Sequence, residues 1–305
     1  MVKVGLFQFS SLWNDVDGNI LLLDEKFKDL SGYDIIVMPE MFMSGFSMEG
    51  KAITASRYED IIIKMQYWAD NTNALLIAST VYFDGKSYYN RLIAIPPKKD
   101  RLKVETYLWD GLKFKLFENV KYIHKSNNSA INLDTNNIGE GYKEEEYSDM
   151  AYYDKRHCFT MGSENQHFLG GDKLIIFEYK GIRYAPFVCY DLRFPVWTRN
   201  IFNYDVAIYV ANWPSSRRKV WETLLKARAI ENQSYVIGVN RVGKDGMNLV
   251  YSGNSMLIDP MGNINSRVVS EVEELIGVDL DINKLYKFRT KFPVLKDMDL
   301  KYKLF

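Results

Sequence analysis

Short apolar runs alternate along this chain with longer stretches in which apolar positions recur every three or four residues. Residues 2–9 (VKVGLFQF) run apolar and alternating, which predicts a strand. Residues 17–30 place Ile20, Leu21, Leu23, Phe27 and Leu30 near helical spacing, with Asp17 as the predicted N-cap. A short buried strand is expected over 34–38, ending at Pro39-Glu40. Residues 56–71 set Tyr58, Ile61, Ile62, Met65, Trp68 and Ala69 on one helical stripe. Strands at 74–81 and 88–95 flank the turn Asp84-Gly85. Strands at 174–179 and 183–188 flank Lys180-Gly181, a hairpin signal. A strand at 205–211, a helix at 217–232 and a strand at 235–240 follow. A further hairpin joins 254–258 to 264–269 across Pro260-Met261-Gly262-Asn263. The last strand is expected at 274–278, with a short helix starting at Asp281. Strand–helix alternation followed by hairpins predicts a mixed α/β fold with helices packed on sheets.

One stretch breaks this rhythm. From Pro96 to Ser148 the text is polar and irregular, as in HKSNNSAINLDTNN and GEGYKEEEYSD. Within it only residues 104–120, with Tyr107, Leu108, Trp109, Leu112, Phe114, Leu116 and Phe117, can pack on something. A peripheral insertion at about 98–148 is expected, in preference to an active-site lid. With no repeat and no linker, the reading is one domain over 1–305, carrying that insertion and a C-terminal extension at about 281–305.

Composition narrows the function classes. The 39 basic and 39 acidic side chains balance, which argues against a nucleic-acid partner. Two cysteines, Cys158 and Cys189, cannot form a disulfide scaffold and suit a reducing compartment. The start, MVKVGLFQFSSLW, lacks the pattern of a secretory leader, and no apolar run nears the ~18 residues of a membrane span. A cytoplasmic protein without a membrane partner is therefore expected.

Three residues stand where strands run into turns. Cys189 closes an apolar run in FVCYDLRF, a position that suits a nucleophile beside free backbone N–H groups; a buried structural cysteine would look the same. Glu40 follows VMP among Met38, Met41, Phe42 and Met43, where desolvation favours proton shuttling. Lys155 closes MAYYDK and offers a cation where negative charge could develop. A surface glutamate and a solvated lysine are the plain alternatives. The histidines are His124, inside the irregular stretch, and His157 and His167 in loop-like text. They leave a Cys–His pair open. Cys158, His157 and His167 lack a zinc-ligand pattern, so no metal is expected.

Glu40 in MPEMFMSGF, Lys155 in YYDKRHCF and Cys189 in VCYDLRFPVW together resemble the nitrilase superfamily of carbon–nitrogen hydrolases, in that family's catalytic order. ANWP at 211–214, ARAIENQ at 227–233 and the KFPVLKDMD tail make the text most similar to the bacterial omega-amidase branch. The resemblance covers roughly 1–97 and 149–300. It implies a four-layer α-β-β-α sandwich, a homodimer, a Cys189 thioester and no cofactor. It implies Glu40 as proton shuttle, with Lys155 and the Tyr190 backbone N–H around the oxyanion. Glu164 becomes the supporting second glutamate. Arg193 becomes a candidate cation for a substrate carboxylate, against a structural salt bridge with Glu231 or Asp191. Phe42, Phe46 and Trp213 become candidate pocket walls. The implied substrates are small terminal amides of dicarboxylates, such as 2-oxoglutaramate and 2-oxosuccinamate. Three alternatives stand beside this: hydrolysis of another small nitrile, amide or carbamoyl compound; a non-catalytic binding protein on the same fold; and a Cys–His hydrolase using His157 or His167. The insertion departs from the family pattern just before Lys155, which bears on the pocket entrance.

Overall fold

The central strands are buried along most of their length and are largely apolar because both of their faces are covered. The computed structural model describes residues 1–109, 114–116 and 147–298. Its strands begin with β1 (Val2–Gln8), β2 (Ile35–Val37), β3 (Leu75–Phe83), β4 (Tyr88–Ile95) and β5 (Leu102–Trp109). They continue with β6 (Phe114–Leu116), β7 (Tyr147–Ser148), β8 (Ala151–Asp154), β9 (Lys173–Tyr179), β10 (Ile182–Val188) and β11 (Val206–Ala211). The last are β12 (Tyr235–Asn240), β13 (Val242–Lys244), β14 (Val250–Ser252), β15 (Met256–Ile258), β16 (Ile264–Arg267) and β17 (Glu274–Leu280). The helices are α1 (Val16–Phe27), α2 (Lys51–Ser56), α3 (Tyr58–Thr72), α4 (Arg218–Asn232) and α5 (Ile282–Lys291).

Two sheets result. The first runs β17-β1-β2-β3-β4-β8, with β1, β2 and β3 parallel. The second runs β16-β15-β12-β11-β10-β9-β5-β6, with β10, β11 and β12 parallel and β7 paired to β5. In the first sheet Val4, Leu6, Ile35, Val37, Leu75 and Ile77 point inward and share one core with the second sheet. The alternate positions Phe7, Ile36, Leu76 and Ile93 point outward onto Ile20, Leu23 and Phe27 of α1 and Ile61, Met65 and Trp68 of α3. The period-two switch between faces is the pleat itself. On the far side, Trp221, Leu225 and Ala229 of α4 pack on the second sheet. Each fully buried large apolar side chain of this kind stabilises the fold by about 1.5–3 kcal/mol. Gly238 on β12 makes the approach of α4 possible: a Cβ there would lie 2.5 Å from Leu225 Cδ1 and 2.8 Å from Trp221 Cζ2. The order of layers is α, β, β, α, as the family resemblance implies.

Several boundaries differ from expectation for local reasons. The cap of α1 is Asp15, not Asp17, because only Asp15 lies three residues before Gly18, whose N–H it accepts at 2.8 Å. The helix expected over 56–71 is α3, starting at Tyr58; the short α2 before it was not expected and is separated from it at Arg57, whose N–H turns back to Thr54 O. The stretch 102–109, inside the expected insertion, is a strand along the edge of β9. The β13–β14 hairpin was not foreseen. The greater part of the predicted 98–148 insertion, with Leu112, Phe117 and His124, and the end of the 281–305 extension lie outside the described residues.

Candidate active site

Strands of both sheets deliver side chains to one place. Glu40 follows β2 and Lys155 follows β8, both in the first sheet; Cys189 follows β10 and Asn212 follows β11, in the second. These are carboxyl ends of strands, where α/β folds gather their sites.

Glu40, Lys155 and Glu164 form a fully buried ion cluster. Lys155 Nζ donates to Glu40 Oε1 at 2.9 Å and to both oxygens of Glu164 at 3.0 and 2.9 Å. Asn90, on β4, bridges the two acids, its Nδ2 donating to Glu40 Oε1 at 2.7 Å and to Glu164 Oε1 at 3.2 Å. Asn90 is itself held by Ser79, whose hydroxyl donates to Asn90 Oδ1 at 2.9 Å and accepts from the Met41 N–H at 2.9 Å. Glu164 Oε2 also accepts from the Phe159 N–H at 2.5 Å. From the opposite sheet, the Asn212 N–H donates to Glu40 Oε2 at 2.8 Å, and Asn212 Nδ2 to the Glu40 carbonyl at 2.7 Å. A buried ion cluster is tolerable only when its hydrogen bonds are filled in this way.

The charge balance sets the protonation states. Burial alone would lower the Lys155 ammonium, but Glu164 and Glu40 outweigh it and hold its pKa well above the usual lysine range. Burial raises the Glu164 carboxyl against the pull of Lys155. The Cys189 thiol is raised well above the usual thiol range, first by burial and then by the charge of Glu40, while Lys155 opposes. The sulfur therefore rests as a thiol beside the cluster. Cys158, half-buried, is also raised, to about 12, mainly by burial.

Cys189 is half-buried and has φ of +46°, in the left-handed region that non-glycine residues rarely occupy. The turn over Cys189–Arg193 holds that conformation through Asp191. Asp191 Oδ2 accepts from the Val188 N–H at 3.1 Å and from the Tyr153 hydroxyl at 2.8 Å. Its Oδ1 accepts from the His157 N–H at 2.9 Å and lies 2.8 Å from His157 Nδ1. Since Tyr153 belongs to β8, the turn of the second sheet is also tied to the first.

Cys189 and Lys155 lie on a cavity of about 460 Å³ whose walls include Trp13, Phe46, Phe159, Tyr190, Trp213 and Tyr251. A hollow of equal volume against α5 is lined by Asn283, Tyr286, Lys287, Thr290 and Lys291 of that one helix, with no convergent chemistry. Of the expected wall residues, Trp213 and Phe46 are present but Phe42 is not. Phe42 is fully buried between the first sheet and its helices, because the turn at Met41 sends it into that core. Arg193 lines the cavity, its guanidinium 5.1 Å from the Trp213 ring centroid. It pairs with neither Asp191 nor Glu231, whose partners are His157 and Arg228. The described histidines do not serve the thiol: His157 is spent on Asp191 and stacks on Phe194 at 3.8 Å, and His167 meets Lys51 at 3.2 Å. Sequence reasoning missed Asn90, Phe159, Trp13 and Arg217 and gave Asn212 no role. An asparagine within an apolar strand, such as YYNRLIAI, was the available signal for Asn90, since a buried amide needs partners.

Among the described residues, no group of three or more His, Cys, Asp or Glu is arranged to hold a metal, and no helix is long and apolar enough to cross a membrane.

The chain as a whole matches a known class in sequence and fold. The sequence profile of the carbon–nitrogen hydrolase family fits residues 3–290, and the chain belongs to that family. Over 298 residues it is 35% identical to the omega-amidase YafV of Escherichia coli K12, covering 98% of this chain and 97% of that protein. It is 33% identical over 148 residues to the 2-oxoglutaramate amidase of Bacillus subtilis, covering 48% of this chain and 56% of that protein. Among solved structures, XC1258 of Xanthomonas campestris superposes with a TM-score of 0.79 at 30% identity, covering 98% and 97% of the two chains. That structure is of a CN-hydrolase superfamily protein with an arsenic adduct in its active site.

Proposed function

We propose that this protein is an omega-amidase, hydrolysing the terminal amide of small dicarboxylate monoamides such as 2-oxoglutaramate and 2-oxosuccinamate to the acid and ammonia. The observation that carries the reading is the buried Glu40–Lys155–Glu164 cluster set beside a thiol on a strained turn, open to one cavity. The near full-length similarity to an omega-amidase supports the same activity.

In this mechanism Glu40 accepts the Cys189 proton as the sulfur attacks the amide carbonyl. The raised thiol fits transfer during attack rather than a preformed thiolate. The oxyanion is stabilised by Lys155 and the Tyr190 N–H; one such donor is worth about 3 kcal/mol. The C–N bond breaks as Glu40 returns its proton to the departing nitrogen, leaving a thioester and ammonia. Water then attacks the thioester, giving a proton to Glu40 and an OH to the acyl carbon, and the sulfur recovers its proton. Glu164 holds the Lys155 ammonium in line throughout. Arg193 receives the substrate's far carboxylate, with Trp213 and Phe46 as walls. The same reading carries a homodimer, a cytoplasmic location and a single domain over 1–305 with its insertion and extension.

The test is ammonia release from a panel of short omega-amides and nitriles. Wild type is expected to release ammonia from the carboxylate-bearing amides. Cys189→Ala should lose at least about a thousandfold while its circular dichroism is unchanged. Turnover of nitriles or of amides without a carboxylate, in place of these, would overturn the assignment.

A further inference from the structure

Five charged side chains line the cavity, and three of them are already paired or stand exposed at its rim. Lys155 is held by Glu40 and Glu164. Asp245 is filled by the Met247 and Leu249 N–H groups and the Tyr251 hydroxyl. Glu49 is exposed at the rim. The remaining two are Arg193 and Arg217, both half-buried. Neither guanidinium donates a hydrogen bond or meets a carboxylate among the described residues. Each instead lies on an aromatic ring: Arg193 5.1 Å from the Trp213 centroid and 6.0 Å from Tyr190, Arg217 5.2 Å from Phe159. The Phe159 and Tyr190 rings are themselves in edge contact at 5.1 Å, so one aromatic wall backs both cations. A guanidinium stacked on a ring keeps its N–H donors for a planar anion. Two like charges left unpaired in one hollow repel each other until an anion joins them.

We infer that Arg217 and Arg193 together form a two-guanidinium subsite for the carboxylate at the far end of the substrate, and that Arg217 is a specificity-determining residue. The inference rests on the omega-amidase reading and gives it a second contact. A single carboxylate has two oxygens and about four acceptor sites, enough for both cations. The subsite selects for a terminal carboxylate and against a neutral or cationic end of the same length.

The experiment compares succinamate with its methyl ester, which has nearly the same length without the charge, by ammonia release. Wild type should favour succinamate in kcat/KM. In Arg217→Met that preference should fall by about tenfold or more, chiefly through KM, with Arg217→Lys between the two. A loss that is equal for both substrates, leaving the preference unchanged, would mean a structural role and would overturn the inference while leaving the amidase reading intact. If wild type releases ammonia from neither, the amidase reading fails. Calorimetric binding of succinate to wild type and Arg217→Met then decides the subsite: tenfold weaker binding by the variant supports it, and equal affinity overturns it.

Discussion

The two ends of the cavity are built on opposite principles. At the reacting end, Glu40, Lys155, Glu164 and Asn90 are fully buried, and their charges answer one another through short hydrogen bonds. At the mouth, Arg193 and Arg217 are half-buried and unpaired, and Met247 and Leu249 stand 71% and 49% exposed on the β13–β14 hairpin. The first arrangement orients groups in advance, so little reorganisation is needed when charge develops. The second leaves interactions open for a ligand to complete. Truncations at the first end should therefore damage both fold and chemistry, and those at the second chiefly binding.

The largest effect is expected from Lys155→Met. It strands two buried carboxylates, and the cost should be about 3–5 kcal/mol at neutral pH, with loss of ammonia release. The sign with pH follows from the charges. In wild type the raised Lys155 pKa keeps the ammonium, and its stabilisation, in place below the ordinary lysine range; it is lost only under strongly alkaline conditions. In the variant the lone carboxylates gain stability by taking protons, so the deficit in denaturant midpoint should be smaller at pH 5 than at pH 8. A pH-independent deficit would show that the cluster's charges do not matter.

Glu40→Gln sharpens the comparison within the reacting end. It removes the charge that, after burial, most raises the Cys189 thiol. Ammonia release should stop, yet iodoacetamide should label Cys189 at lower pH than in wild type. Cys158, at about 12, stays out of the way below that range. A labelling profile that does not move, or moves upward, would contradict the electrostatic picture.

The smallest effect is expected at the rim. Met247→Ser should change stability by no more than about 0.5 kcal/mol, because the side chain is already in water. A large fall in melting temperature would remove the distinction between the two ends.

How much of this was legible depended on whether a residue's neighbours were local. The strands of the sheet centres read to within a few residues because burial on both faces makes them largely apolar. Glu40, Lys155 and Cys189 were visible because each ends an apolar run and carries a recognisable motif. Asn90 and Ser79 were not, since a polar residue in a strand normally marks a solvent face; here it marks a buried contact between β3 and β4 that exists only after folding. Phe42 was misplaced because its sequence neighbour Glu40 faces the site, while the intervening Met41 has φ of +45° and turns the chain away. Arg217 was hidden in polar text at the start of α4, SSRRK, where cations are ordinary.

The hydrogen bonds from Asn212 to Glu40 and from Tyr153 to Asp191 each cross from one sheet to the other. Turnover is thus a gauge of how the halves of the sandwich are aligned. A slip of one layer past its neighbour by a single residue would part the acid from the sulfur while the helices and strands stayed whole. On mild denaturation the enzyme would fall silent before its circular dichroism changed.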